Sequence, residues 1–243
     1  MSTTDSSSPI LLSVQGLSAG YGEMLVLHDI SLEVHHAEVV ALVGSNGAGK
    51  TTLLRALSCV LPSTGSIMMD GHQLVQSSAD QAFALGLVQV PEGRQLFGRM
   101  SVQDNLLMGA YRRSSKADVA RDLEKMYEIF PRLSERRRQL AGSMSGGEQQ
   151  LCAMARALMA KPKLMMVDEM SLGLAPVIVE QLMDVLVSIQ RDGVAILLVE
   201  QDIHLALSAA DRGYVMETGY IVQNGPAQAL INDPAVRQAY LGI

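Results

Sequence analysis

The run Gly44-Ser-Asn-Gly-Ala-Gly-Lys50-Thr51-Thr52 follows directly on the apolar stretch Val39-Val40-Ala41-Leu42-Val43. Glycine at its first and sixth positions lets backbone N–H groups turn inward around a polyphosphate with no side chain in the way. The run reads as a phosphate-binding loop in which Gly44, Ser45, Asn46, Gly47, Ala48, Gly49, Lys50, Thr51 and Thr52 cradle a nucleotide. Lys50 is placed to reach the β- and γ-phosphates and the Thr51 hydroxyl to ligate Mg²⁺, at the start of a helix whose dipole favours anions.

Two further clusters carry chemistry. Leu164-Met-Met-Val167 is an apolar strand ending in Asp168 and Glu169. Ligands of open α/β sheets sit beyond the carboxyl ends of the strands, the edge where a phosphate loop also lies. Asp168 can hold Mg²⁺ through a water, and Glu169 can polarise the water that attacks the γ-phosphate. Alone, the pair could be a solvated strand end; the upstream loop favours the functional reading. Between them, Met144-Ser145-Gly146-Gly147-Glu148-Gln149-Gln150 precedes a helical run, offering free N–H groups for a second anion site without a lysine of its own.

The elements that position these groups follow from periodicity. Leu12 to Leu17 and Val26 to Val34 alternate as strands, and Gly65 to Gly71 reads as a hairpin arm closed by Asp-Gly. From about Ser101 to Ala160 the pattern is helical: Ser101 to Asp104 resembles a capping box, and Ala117 to Phe130 is a helix that Pro131 ends. Strand and helix then alternate over 164–167, 177–189, 194–199 and 203–209, before a hairpin around Thr218-Gly219. Short buried strands alternating with helices predict a mostly parallel sheet with helices on both faces.

Composition narrows the function. The 243 residues are 48% hydrophobic and 18% charged, within the range of a globular chain, and the net charge of −6 argues against broad binding of nucleic acid. Arg136-Arg137-Arg138 reads as a solvated helix end. Cys59 and Cys152 stand far apart, consistent with reduced, buried thiols, and the histidines lack metal-ligand spacing. No apolar run is long enough to span a membrane, so a membrane role requires a partner.

The order phosphate loop, Ser-Gly-Gly, Asp-Glu resembles the ATP-binding cassette (ABC) family from about Leu12 to the end of the chain. The resemblance implies an α/β fold: a P-loop NTPase core with an antiparallel β subdomain and an inserted α-helical subdomain at about 97–155. These form a single ATP-binding domain over 11–243 behind a tail of residues 1–10. In that family two cassettes pair head to tail, so Ser145, Gly146, Gly147 and Glu148 of one would close on the γ-phosphate held by Lys50 of the other. Tyr21 sits where the family stacks an aromatic ring on adenine; read alone, it is a turn tyrosine between Gly20 and Gly22.

Several positions depart from the common cassette pattern. Glu92, in Val90-Pro91-Glu92-Gly93-Arg94, stands where most members have a glutamine that touches Mg²⁺ and the membrane partner. Gln201 replaces the switch histidine. Ser171-Leu-Gly-Leu-Ala-Pro176 lacks the usual aspartate, and Met170 replaces a proline. These variants, with the ending Val236-Arg-Gln-Ala-Tyr-Leu-Gly242, are similar to the smaller ATPase subunit of branched-chain amino-acid importers. The resemblance implies ATP and Mg²⁺ as cofactors, with Thr51, Glu92 and Asp168 at the metal and Glu169 and Gln201 as the hydrolytic pair. It implies permease subunits, a second cassette that is non-identical or a copy of this chain, and indirectly a substrate-binding protein. The location would be peripheral, on the cytoplasmic face of a bacterial inner membrane. Alternative readings are a cassette for urea, short amides or other amino acids, a non-transport cassette acting on DNA or ribosomes, and a regulatory module with little hydrolysis.

Overall fold

A computed structural model describes residues 8–238. Residues 1–7 of the expected tail and the last part of the C-terminal motif, residues 239–242, lie outside them. The rest of the expected tail belongs to the fold. The Pro9 carbonyl accepts the His36 N–H at 3.0 Å, and the first strand begins at Ile10.

Two sheets form. The first is antiparallel, in the order β2-β1-β4-β5, from β1 (Ile10–Tyr21), β2 (Met24–His35), β4 (Ser63–Met69) and β5 (His72–Gln73). The Asp70-Gly71 turn joins β4 to β5 with both residues at positive φ, the requirement of a tight hairpin. The second sheet runs β10-β9-β3-β8-β7-β6. It comprises β3 (Val39–Val43), β6 (Leu87–Val90), β7 (Leu164–Asp168), β8 (Ala195–Glu200), β9 (Arg212–Glu217) and β10 (Tyr220–Pro226). All its pairings are parallel except β9 with β10. Every residue of β3, β7 and β8 is buried, which is why these strands read as unbroken apolar runs.

Alternation along those strands feeds two cores. Ala41, Val43, Met165, Val167, Ile196 and Leu198 face one, which gathers most of the helices. Val40, Leu42, Met166, Leu197 and Val199 face the other. Helices lie on both faces as expected, but on this second side the antiparallel sheet adds to the cover. There α1 (Lys50–Leu57) lies between the parallel sheet and the apolar face of the antiparallel one, with Leu53, Leu54 and Leu57 meeting Leu12, Val14 and Leu32. An eight-residue helix covers too little area to bury that face, and the long strands β1 and β2 have an apolar side of their own to bury.

The remaining helices are α2 (Ala79–Ala84), α3 (Val102–Gly109), α4 (Lys116–Ile129), α5 (Pro131–Glu135), α6 (Gly146–Leu158), α7 (Pro176–Arg191), α8 (Ile203–Ser208), α9 (Ala227–Asn232) and α10 (Pro234–Val236). Ser101 caps α3 by accepting the Asp104 N–H at 3.0 Å, while the Asp104 carboxylate accepts the Ser101 hydroxyl, a variation on the expected capping box. Pro131 does more than end a helix: α4 stops at Ile129, and Pro131 takes the first position of α5, where its missing N–H costs nothing. Cys152 is buried, whereas Cys59 is only half-buried.

Helix α3 packs closely on α6, and Gly109 sits where a Cβ would come within 1.9 Å of the Arg156 carbonyl. Gly109→Ala is therefore expected to destabilise the chain by about 2 kcal/mol through forced separation of the two helices. Urea denaturation checks this; an unchanged midpoint would contradict the packing.

Candidate functional site

The carboxyl ends of β3, β7, β8 and β6 open on a cleft of about 520 Å³ lined by Val26, residues 46–52, Glu92, Glu169, Leu172 and Gln201. The phosphate loop leaves β3 at Gly44, where a Cβ would lie 2.2 Å from the Met216 carbonyl of β9, so only glycine lets the loop pass. It enters α1 through Gly49 at φ +108, a conformation L side chains rarely adopt. Lys50 is 4% exposed. Its amine donates to the Gly44 carbonyl at 2.8 Å and the Ser45 carbonyl at 3.2 Å, and pairs with the Glu169 carboxylate at 3.2 Å.

Strand β7 supplies the two carboxylates. Asp168 is 1% exposed, and its Oδ1 has no hydrogen-bond partner among the described residues. Burial, with Glu169 and Glu92 nearby, pushes its pKa up to about 6, although Lys50 and the Thr51 hydroxyl pull the other way. Glu169 turns out of the strand at φ +44, and its N–H donates to the Val199 carbonyl of β8 at 2.8 Å. That left-handed backbone is uncommon for a side chain of this size. Met170, where the resemblance leads one to expect proline, is fully buried in the main core. Gln201 is exposed at the cleft, and Asp202, not Gln201, caps α8 by accepting the Leu205 N–H at 2.9 Å.

Other expected site residues lie apart from this cluster. Tyr21, 42% exposed at the end of β1, receives a hydrogen bond from Arg55 at 3.2 Å; its pKa is lowered by Thr52 first and Arg55 next, against burial. Ser145, Gly146, Gly147 and Glu148 do not line the cleft. Ser145 caps α6 in a full capping box, with the Glu148 carboxylate accepting both the Ser145 N–H and hydroxyl. Arg136 pairs with Glu148 at 2.7 Å, so the basic cluster is not simply solvated. Burial raises the Glu148 pKa, but the Ser145 bonds and Arg136 outweigh it and leave it lowered.

Four residues without an assigned role turn out to shape the site. Val26 lines the cleft beside the loop. Arg94, two residues past Glu92, lays its guanidinium over Gly146, where a Cβ would meet it at 3.0 Å. Arg156 of α6 holds the same loop through the carbonyls of Arg94 and Gln95. Glu200 ends β8 fully buried and bonded to Ser171. Only Glu200 carried a signal in the sequence: a charge closing an otherwise apolar strand.

The Asp168 environment has a consequence for stability. A carboxyl whose pKa is raised from the ordinary 3.8 to about 6 binds its proton more tightly when folded. The ionised form therefore destabilises the metal-free fold by roughly 2–3 kcal/mol above pH 6, and acidification toward pH 4 removes that cost. Asp168→Asn should thus melt at a higher temperature than the parent at pH 8 in chelator, with the difference closing toward pH 4. Equal melting at pH 8 would contradict the assignment.

Known proteins place this geometry. The ABC transporter family pattern matches residues 27–171. The chain is 47% identical to a high-affinity branched-chain amino acid transport ATP-binding protein, BraG, of Pseudomonas aeruginosa, over 96% of this chain and 100% of that one. It is 31% identical to a probable branched-chain amino acid transport ATP-binding protein, LivF, of Archaeoglobus fulgidus, over 96% and 99%. Among solved structures, the ADP conformation of an ATP-binding cassette of an ABC transporter superposes with a TM-score of 0.84 at 25% identity, covering 97% of this chain and 100% of that one. A nucleotide-free cassette superposes at 0.83 with 25% identity and the same coverage. With a loop, a lysine and paired carboxylates converging at one sheet edge, and with these relatives spanning nearly its full length, the chain belongs to the ABC transporter family as an ATP-binding ATPase subunit.

Proposed function

We propose that the chain is the ATP-hydrolysing subunit of an importer for branched-chain, hydrophobic amino acids, seated on the cytoplasmic face of a bacterial inner membrane. Full-length similarity to BraG supports the cargo. The observation that carries the hydrolytic reading is the Glu169 carboxylate held 3.2 Å from the Lys50 amine at the cleft wall. Lys50 leaves Glu169 for the β- and γ-phosphates as ATP enters, and the freed carboxylate takes a proton from the attacking water. Gln201 donates to the γ-phosphate and accepts from that water, since its amide cannot take up a proton. Tyr21 stacks on adenine, with Val26 against the nucleotide.

Mg²⁺, when bound with ATP, supplies Lewis-acid neutralisation of the phosphate oxygens. Thr51 would hold it through its hydroxyl, with the Asp168 and Glu92 carboxylates to balance its charge. The orphaned Oδ1 of Asp168 beside Thr51 fits a hydrated cation. Ser145, Gly146, Gly147 and Glu148 act in trans on the γ-phosphate of a second cassette, non-identical or a copy. No helix among the described residues is long and apolar enough to cross a membrane, so transport needs permease subunits. A groove of about 370 Å³ beside the Glu92 loop, lined by Phe83, Pro91, Phe97, Met108 and Tyr111, is apolar enough to receive them. A substrate-binding protein delivers the cargo.

Lys50→Ala should weaken ATP binding and hydrolysis together, whereas Glu169→Gln should spare binding and slow turnover by roughly 10²–10⁴. Phosphate release by the membrane complex decides, and normal turnover in Glu169→Gln rejects the base assignment. Gly146→Asp should bind ATP as a monomer yet form no ATP-dependent dimer, because a carboxylate there repels the γ-phosphate and displaces Arg94. Light scattering that finds an ordinary dimer contradicts action in trans. Co-purification of permease and binding protein, followed by uptake of labelled leucine, tests the cargo; transport of another class with no leucine uptake overturns it.

A further inference from the structure

Glu200 is a charged residue that the hydrolytic chemistry does not use, buried to 1% exposure at the end of β8. Burying a carboxylate is costly unless hydrogen bonds replace its water. Here its Oε1 accepts the Ser171 N–H at 3.1 Å and its Oε2 the Ser171 hydroxyl at 2.8 Å. The neighbouring Gln201 N–H favours its ionised form. Burial first, and the nearby Glu169 charge further down, raise its pKa, so neither favours keeping a charge at this position.

The partners explain the choice. Ser171 stands two residues after Glu169, whose own N–H is bonded to the Val199 carbonyl at 2.8 Å. The turn carrying Glu169 is thus stitched to β8 at consecutive positions, Val199 through backbone and Glu200 through its side chain. Gln201 follows Glu200 directly in the chain, so holding Glu200 also places Gln201. Between the stitches, Glu169 keeps a φ of +44, a backbone that persists only where its surroundings over-determine it.

We infer that Glu200 and Ser171 form a buried clamp that fixes the separation of Glu169 and Gln201, making Glu200 a positioning residue for ATP hydrolysis. The clamp rests on the hydrolytic reading proposed above. A small error in placing a reacting group costs on the order of 10²-fold in rate while leaving nucleotide contacts intact.

In the assembled transporter, Glu200→Ala is expected to lower kcat for ATP hydrolysis roughly 10–10²-fold with KM within about twofold. Glu200→Gln should recover most of the loss, since its carbonyl can accept the Ser171 N–H and its amide can donate to the Ser171 hydroxyl. Ser171→Ala should lose less than Glu200→Ala, and the double variant should be no worse than Glu200→Ala alone. Additive losses, a Gln variant as poor as Ala, or unchanged kcat in Ser171→Ala and Glu200→Ala would each overturn the clamp. If Glu200→Ala does not fold, Ser171→Ala against Ser171→Thr decides it: the hydroxyl should restore turnover at unchanged melting temperature. Glu169→Gln in the same assay separates the two ideas. Normal turnover there removes the hydrolytic reading; slow turnover there with unchanged Ser171→Ala and Glu200→Ala removes the clamp alone.

Discussion

Parallel register across β3, β8 and β7 is the constraint on which the site depends. Val43 pairs with Glu200 and Asp168 with Val199, so the phosphate loop, Gln201 and Glu169 leave the sheet at one level. Each strand is buried on both faces, and its side chains alternate between two separate cores. A slip of one residue would exchange those cores for every side chain in the strand, so hydrophobic packing holds the register firmly. The chemistry inherits that precision without contributing to it.

The glycines divide by what surrounds them. Gly44 gives way to the Met216 carbonyl and Gly49 adopts a backbone that side chains avoid, both so that a loop can wrap an anion. Gly146 and Gly147 instead lie beneath side chains, the first under Arg94 and the second against Ile178 of α7. The start of α6 is therefore coupled to the Glu92 loop on one side and to the segment after Glu169 on the other. A helix start offering N–H groups to a ligand is here also a packing junction, and a shift in either neighbour is felt at both.

Among the described residues, charge is buried only close to that edge or in support of the sheet. Asp168 and Glu200 are closed off at the ends of adjacent strands, and Lys50 lies across the mouth of the loop. At the opposite end of the sheet Glu38 meets Arg212 at 3.3 Å, and Asp211 accepts the Val39 N–H, holding β3 to the start of β9. The difference is in satisfaction: the far end pairs its charges, whereas Asp168 keeps an oxygen without a partner among the described residues. An unsatisfied buried group costs stability, and its retention beside a phosphate loop accords with a site adapted to a cation.

Much of this was legible in the sequence, because the signals were local. The phosphate loop needs contiguous glycines and a lysine, the strand before Asp168 is an unbroken apolar run, and the caps at Ser101 and Ser145 are bonds within three residues. Boundaries that depend on packing were less legible: Ile10 joins β1 because it pairs with His35 of β2, and Pro131 opens a helix because α6 gives Leu133 a core to enter. Glu200 and Ser171 lie 29 positions apart, and Arg94 and Gly146 lie on either side of α3, α4 and α5. No periodicity records such pairs, since it reports only which face of an element is apolar. What the sequence determined by itself was which groups could bind phosphate and move a proton; only the tertiary structure, through strand register and the close approach of distant backbones, decided which of them stand together and what holds them there.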